Sequence, residues 1–178
     1  SQKFAILQSA FSAAERCFEL LDEPITIDSK DDAEGLDKVN QSIAVKNVSF
    51  AYREVDGEPD WILKNFNLEM KPGEKIALVG ATGSGKTTLL KLLNRFYDVQ
   101  SGSIELDGKN IKELELTSLR KLFAVVLQDV YLFSGSIREN LCLGDDIRHE
   151  DLERAAKAVQ VDDLIAKLPQ GYDTPVQH

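Results

Sequence analysis

The chain has 178 residues, of which 43% are hydrophobic and 29% charged, a composition that suits one globular core with a small appendage. Its 30 acidic residues outnumber 21 basic ones, giving a formal net charge of −9. A broad nucleic-acid-binding surface is disfavoured, because such a surface neutralises phosphates with a basic excess. The two cysteines, Cys17 and Cys142, form no metal-spaced cluster and indicate buried or free thiols of a reducing compartment.

The N-terminal segment is predicted to be an amphipathic helix followed by a linker. Apolar residues recur at three- and four-residue spacing: Phe4, Leu7, Phe11, Ala14, Phe18 and Leu21. Charges such as Lys3 and Arg16 argue against a signal peptide or a membrane-spanning helix. The helix either packs on its own domain or connects from a preceding one, and its pattern does not decide. Seven acidic residues between Asp22 and Asp37 then predict a solvated linker.

Apolar runs predict strands through the middle of the chain. SIAVKNVSF (42–50) and WILKNFNLEM (61–70) alternate apolar and polar residues, as half-buried strands do. The stretch REVDGEPD (53–60) between them is predicted to be a turn or loop, since it contains glycine and proline. KIALVG (75–80) and FAVVLQ (123–128) are continuous apolar runs, typical of strands buried on both faces.

Turns and short helices are predicted around these strands. SIELDG (103–108) is predicted to be a strand that ends in an Asp107-Gly108 turn. Thr117 is a candidate cap for a short helix over SLRKL. Three helical patterns follow from Ser136 onward: SIRENL, EDLERAAKAV and VDDLIAKL.

The segment GATGSGKT (80–87) matches the pattern G-x-x-x-x-G-K-[ST] at every fixed position. Glycines let consecutive backbone N–H groups turn inward around an anion, and the following helix adds its positive dipole end. Lys86 is predicted to reach the β- and γ-phosphates of a nucleotide, and the Thr87 hydroxyl suits Mg²⁺. The helix is predicted to run from about Lys86 to Phe96. Its inward residues are predicted to be Leu89, Leu90, Leu92 and Leu93.

Nucleotide hydrolysis also requires an acidic Mg²⁺ ligand and a group that positions water. The apolar run over 123–128 leads into Gln128-Asp129. In one interpretation Asp129 is the acid that follows a strand. In the other, Gln128 is the functional group and Asp129 a loop residue. The spacing leaves both interpretations open.

These stretches resemble the nucleotide-binding domain of ATP-binding cassette (ABC) transporters, of the exporter type fused to a membrane domain. The similarity runs from about Ile43 to Thr174 and extends back over SAAERCFELLDEP. It is carried by IAVKNVSFAY, LKNFNLEMKPGEKIALVGATGSGKTTLLKLLNRFYD, SGSIELDGKNI, LRKLFAVVLQDVYLFSGSIRENL and LPQGYDT. The resemblance implies an α/β fold, a P-loop NTPase core with an antiparallel β subdomain, truncated and preceded by an amphipathic connector helix. It implies a helix linking from a membrane domain over 1–22, an acidic linker over 23–41 and the N-terminal part of the nucleotide-binding domain over 42–178.

The same resemblance implies ATP and Mg²⁺ as ligands and gives residues their roles. Tyr52 would stack on adenine, Lys86 would hold the β- and γ-phosphates, and Thr87 and Gln128 would ligate Mg²⁺. Asp129 then loses its role as the main Mg²⁺ ligand. Leu127 stands where the family often has proline, which predicts a slightly different loop conformation. The full implied nucleotide-binding set is Tyr52, Gly80, Ala81, Thr82, Gly83, Ser84, Gly85, Lys86, Thr87, Thr88 and Gln128.

The implied partners are the transmembrane domain of the same transporter and a second nucleotide-binding domain, in a homodimer or heterodimer. No nucleic acid is expected as a partner. The implied location is the cytoplasmic side of the cell membrane. The family's L-S-G-G-Q signature, catalytic glutamate and switch histidine have no match in this sequence, so no catalytic residue is assigned. We therefore expect the full-length exporter to couple ATP hydrolysis to export, and this chain alone to bind ATP without turnover. The alternative is a non-catalytic, nucleotide-responsive interaction module.

Overall fold

The computed structural model describes residues 2–127 and 131–176, and the chain divides into two units, Ser1–Ala124 and Val125–His178. The elements of the first unit are α1 (Gln2–Leu21), β1 (Ile43–Val55), β2 (Glu58–Met70), α2 (Lys86–Leu93), β3 (Ser101–Leu106), β4 (Lys109–Asn110) and α3 (Leu116–Lys121), with a 3₁₀ turn at Ile111–Glu113. Those of the second are β5 (Gly135–Ser136), α4 (Ile137–Cys142), α5 (His149–Ala158), α6 (Asp162–Ala166) and β6 (Pro175–Val176), with a 3₁₀ turn at Gly171–Asp173.

The predicted N-terminal helix is confirmed as α1, and its apolar side chains face solvent. Phe4 and Phe11 are each 71% exposed and Phe18 is 61% exposed. This exposure argues against the interpretation in which the helix packs on its own domain. Within the part of the chain that the structure describes, no helix combines the length and the apolar character needed to cross a membrane.

A four-stranded antiparallel sheet organises the first unit, in the order β2-β1-β3-β4. Strands β1 and β2 are joined by a two-residue turn at Asp56 (φ 54°) and Gly57 (φ 82°). Positive φ at both positions matches the twist of the paired strands, so pairing continues to Val55 and Glu58. The turn predicted within 53–60 is therefore confirmed, but it is confined to these two residues, and the rest of the stretch belongs to β1 and β2. The Asp107-Gly108 turn between β3 and β4 is confirmed.

The core lies between this sheet and α2. Its buried apolar residues include Val45, Val48, Phe50, Leu63, Leu89, Leu92, Leu93, Ile104, Leu106, Ile111, Leu114 and Leu119. Leu92 has no exposed surface, whereas Leu90 is 47% exposed. The prediction that Leu90 faces inward is thus wrong, because one residue turns an α-helix by about 100° and carries Leu90 off the buried stripe. The helix also ends earlier than predicted, at Leu93.

Two stretches predicted to be buried strands form no strand in the structure. Residues 75–80 and 123–127 have no ladder partner among the described residues. Their side chains are exposed, Val79 by 93% and Val126 by 95%, except that of Phe123, which is partly buried against the core. A continuous apolar run becomes a buried strand only where neighbouring strands pair with its backbone and layers cover both faces. The described residues supply no such neighbours.

The acidic stretch keeps its carboxylates exposed, but it is hydrogen-bonded to residues at and just before the start of α3. The backbone N–H of Leu116 donates to Ser29 Oγ at 2.8 Å, and the N–H of Leu36 donates to Ser118 Oγ at 3.2 Å. Between them Glu34 forms a bridge with Leu114. The stretch therefore follows the start of α3, a path that its composition did not indicate.

Helix α3 is capped by Glu115 and not by Thr117, which lies inside the helix. The Glu115 carboxylate accepts hydrogen bonds from the backbone N–H groups of Ser118 (2.5 Å) and Thr117 (3.0 Å). These bonds, that of Ser118 foremost, lower the pKa of Glu115. The predicted cap is wrong because a carboxylate two residues upstream reaches the free N–H groups of the first turn.

The second unit contains the three predicted helices. SIRENL, EDLERAAKAV and VDDLIAKL fold as α4, α5 and α6. Helix α4 begins with a capping box, in which the Ser136 hydroxyl accepts from the backbone N–H of Glu139 and the Glu139 carboxylate accepts from that of Ser136. The helical pattern of each segment was therefore sufficient to predict its helix.

The Asp107 carboxylate ties the end of the acidic linker to the sheet. It accepts hydrogen bonds from the backbone N–H groups of Asn40 (2.7 Å), Gln41 (2.7 Å) and Ser42 (3.0 Å). These bonds, led by that of Asn40, lower the pKa of Asp107 below its ordinary value of 3.8. The carboxylate's contribution to stability is therefore complete above pH 3.8 and is lost as the pH falls through the lower pKa of the folded state.

Asp107→Asn is expected to reduce the protection of the amides of Asn40, Gln41 and Ser42 against hydrogen exchange at neutral pH. In the unsubstituted chain the same loss is expected only below pH 3.8. Exchange rates corrected for intrinsic pH dependence measure both effects. Asp56→Asn is the matched control, because Asp56 is the equivalent residue of the other Asp-Gly turn. Equal protection in the two variants would contradict the prediction.

Candidate functional site

The glycines of the loop over 80–87 have geometric reasons to be glycine. Gly83 and Gly85 adopt φ of 85° and 88°, a left-handed conformation that L side chains rarely adopt. A Cβ at Gly85 would lie 2.8 Å from Leu63 Cδ2 and 3.2 Å from the carbonyl oxygen of Ile62. The loop can therefore turn into α2 over strand β2 only without a side chain at this position.

Lys86 is held inside the loop. Its Nζ donates to the carbonyl oxygens of Gly80 and Ala81, both at 2.8 Å, and to Ser84 Oγ at 3.3 Å. The loop backbone thus curls around an ammonium group. A cation fixed in this way is suited to bind an anion that enters the loop.

The first turn of α2 adds backbone donors to this cation. The N–H groups of Lys86, Thr87 and Thr88 have no hydrogen-bond acceptor within the described part of the chain. Such groups at a helix N-terminus carry partial positive charge and bind phosphate oxygens. Thr87 is exposed, so its hydroxyl is accessible to a metal ion that accompanies a phosphate. The donor set therefore fits a Mg²⁺-bound polyphosphate.

Tyr52 joins this helix from strand β1. Its hydroxyl donates to Thr88 Oγ1 at 3.2 Å, and Thr88 is only 6% exposed. The Lys91 ammonium lies 5.6 Å from the centre of the Tyr52 ring. Thr88 and Lys91 are three residues apart and share one face of α2. The tyrosine ring therefore lies along the helix that begins with the phosphate loop, and 44% of the residue stays exposed.

The structure brings the predicted residues Gly80 to Thr88 and Tyr52 together in the first unit. Gln128, predicted as the second Mg²⁺ ligand, and Asp129, its alternative, lie outside the described residues. Their roles remain predictions. Sequence reasoning missed Tyr97, whose ring lies 5.1 Å from that of Tyr52. The only signal for it was an aromatic residue shortly after the end of α2.

Two cavities of the first unit differ in their suitability for an anion. One of about 150 Å³ lies at the phosphate loop and is lined by Ser84, Lys86 and Leu89 among others. A larger groove of about 560 Å³ is lined by residues of the sheet that include Lys46 and Glu105. Lys46 is paired with Glu105 at 2.5 Å, so the larger groove offers no spare cation. The smaller cavity has the donors that phosphate binding requires.

Comparisons with known proteins identify the family of this chain. The profile of the family described as ABC transporter matches residues 63–177. The ATP-dependent lipid A-core flippase of Hahella chejuensis is 42% identical over 173 residues, 96% of this chain and 28% of that protein. The probable multidrug resistance ABC transporter ATP-binding/permease protein YheH of Bacillus subtilis is 41% identical over 175 residues, 98% of this chain and 25% of that protein. The solved structure of a bacterial Atm1-family ABC exporter with ATP bound has a TM-score of 0.81 and 37% identity, covering 97% of this chain and 30% of that one.

Proposed function

The chain belongs to the ABC transporter family, and from this premise we propose that it is the ATP-binding portion of an exporter. The observation that carries the proposal is the ammonium of Lys86, held at 2.8 Å from two loop carbonyl oxygens at the start of α2. Two residues further along that helix, Thr88 Oγ1 accepts a hydrogen bond from the hydroxyl of the half-exposed Tyr52. A phosphate donor set and an aromatic ring thus lie along one short helix, as a nucleotide requires.

Different residues would contact different parts of the nucleotide. Lys86 and the N–H groups of the first turn of α2 would hold the phosphates, and the Thr87 hydroxyl would ligate Mg²⁺. Tyr52 would stack on the adenine and favour a nucleotide over free polyphosphate. Gln128 would be the second Mg²⁺ ligand. When bound, Mg²⁺ neutralises phosphate charge, and ATP supplies the anhydride bond whose hydrolysis drives transport.

The chain spans about a quarter to a third of the length of the relatives compared above. What a longer protein that contains it would do is therefore inferred and not observed. We infer that the full-length protein hydrolyses ATP to export a substrate across the cell membrane, with this portion on the cytoplasmic side. Its partners would be a transmembrane domain of the same protein and a second nucleotide-binding domain. This inference is supported by the relatives described above, one of which is named an ATP-binding/permease protein and another an ABC exporter.

Titration of the 178-residue chain with Mg·ATP in a calorimeter tests the proposal. We expect saturable binding of one ATP per chain, and weaker binding of inorganic tripolyphosphate, which has no base. Tyr52→Ala is expected to weaken ATP binding about fivefold, the lower end of the range for base–aromatic stacking, because the ring is only half exposed.

Tyr52→Trp is the control, since it keeps a ring for stacking and should retain most of the ATP affinity. Tripolyphosphate should bind all three proteins equally. A chain that binds neither ATP nor tripolyphosphate at millimolar concentration would contradict the proposed function.

A further inference from the structure

Three aromatic rings, those of Phe50, Tyr52 and Tyr97, form a cluster beside α2 in which each ring contacts the other two. The centre of the Tyr52 ring lies 4.9 Å from that of Phe50 and 5.1 Å from that of Tyr97, in both cases nearly perpendicular. Phe50 and Tyr97 are 5.6 Å apart. We propose that Tyr97 is a positioning residue that holds the Tyr52 ring where a nucleotide base can stack on it. This inference rests on the proposed ATP-binding function.

The cluster has one buried and two accessible members. Phe50 is 2% exposed and belongs to the hydrophobic core, whereas Tyr52 and Tyr97 are 44% and 41% exposed. Perpendicular ring pairs at these distances are favourable beyond the area that they bury. Phe50 therefore anchors the cluster, and Tyr97 is the member at the surface that restrains Tyr52.

The position of Tyr97 is itself fixed by the end of α2. Arg95 adopts φ of 49°, a left-handed conformation that reverses the chain after a helix. Its side chain is almost fully buried, and its Nε donates to Asp98 at 3.1 Å. The backbone N–H of Phe96 donates to the carbonyl oxygen of Lys91 at 2.9 Å. The residues on either side of Tyr97, Phe96 and Asp98, are thus both hydrogen-bonded, and the Tyr97 ring packs against the rings of β1.

These restraints leave the Tyr52 side chain little freedom. The bond to Thr88 fixes its hydroxyl, and the rings of Phe50 and Tyr97 contact its ring. A side chain that is ordered before binding does not lose rotamer freedom when the ligand arrives, and this increases affinity. Loss of Tyr97 should therefore weaken the contact with the base and leave the phosphate contacts of Lys86 unchanged.

The test compares ATP with inorganic tripolyphosphate, in the presence of Mg²⁺, on the 178-residue chain. Tyr97→Ala is expected to weaken ATP binding about twofold to tenfold, the effect of one aromatic pair, and to leave tripolyphosphate binding unchanged. Tyr97→Phe should behave like the unsubstituted chain, because it keeps the ring and the Tyr97 hydroxyl makes no hydrogen bond within the described residues. The tripolyphosphate measurement also verifies that each variant keeps a folded phosphate loop.

Phe96→Ala is the matched control. Phe96 neighbours Tyr97 and is 51% exposed, but its ring lies against the Arg120 guanidinium, 5.2 Å away. Unchanged ATP binding by Tyr97→Ala, or an equal loss of ATP and tripolyphosphate binding, would overturn the positioning role alone. Failure of the unsubstituted chain to bind ATP would overturn the proposed function and this inference with it.

Discussion

Lys86→Ala is expected to weaken Mg·ATP binding about 10-fold to 150-fold. The physical reason is that a hydrogen bond to a charged group contributes about 1.5–3 kcal/mol. In the structure the ammonium lies 2.8 Å from the carbonyl oxygens of both Gly80 and Ala81, which places it within the loop before any ligand arrives. Calorimetric titration of the variant with Mg·ATP and with tripolyphosphate measures the loss. Both ligands should be affected equally, because both present phosphates.

Lys75→Ala is the control for Lys86→Ala. It removes the same charge from the exposed segment that precedes the loop, so a general effect of net charge would appear in both variants. We expect Lys75→Ala to bind ATP within about twofold of the unsubstituted chain, since exposed charges that make no direct contact are largely screened by salt. Equal weakening in the two variants would show that Lys86 acts as one surface charge among others.

Leu92→Ala is expected to lower the free energy of unfolding of the first unit by about 2–5 kcal/mol. Leu92 has no exposed surface and lies in the core between α2 and the sheet. Its truncation removes buried apolar contacts and leaves a cavity that packed neighbours fill only in part. Because Trp61 is the only tryptophan and lies on β2, its fluorescence during urea denaturation reports on this unit.

Leu90→Ala provides the matched comparison for Leu92→Ala. It is the same substitution in the same helix at a residue that is 47% exposed, so helix propensity changes equally in both variants. We expect Leu90→Ala to change the free energy of unfolding by no more than about 1 kcal/mol, because little buried surface is lost. Similar losses for the two leucines would contradict the burial pattern of α2.

Much of the phosphate loop was predictable because its signal is local. Eight consecutive residues specify a glycine-rich turn, a lysine and a helix start, and Gly85, which the pattern requires, adopts the left-handed conformation. The Asp107-Gly108 turn was predictable for the same reason. The cap at Thr117 was predicted wrongly although it is also local, because Glu115 competes for the same N–H groups.

The predicted strands over 75–80 and 123–128 show that a local apolar pattern is not sufficient to predict a strand. Apolar character along a run indicates that the segment is suited to burial, but a strand forms only when another backbone accepts its hydrogen bonds. In contrast, SIAVKNVSF and WILKNFNLEM are joined by a short turn and pair with each other. The difference between the two cases lies in the neighbours of each run and not in its composition.

By itself the sequence determined the family, through several separate short stretches. It also determined the phosphate loop and the location of most helices, since each of these depends on residues that are close along the chain. Only the tertiary structure decided that Tyr52 bonds to Thr88, 36 residues later, and that Tyr97 joins the same cluster. It also decided that the acidic stretch follows α3. These contacts depend on how β1, α2 and α3 pack on one core, and side-chain packing between distant segments leaves no periodic pattern in the sequence.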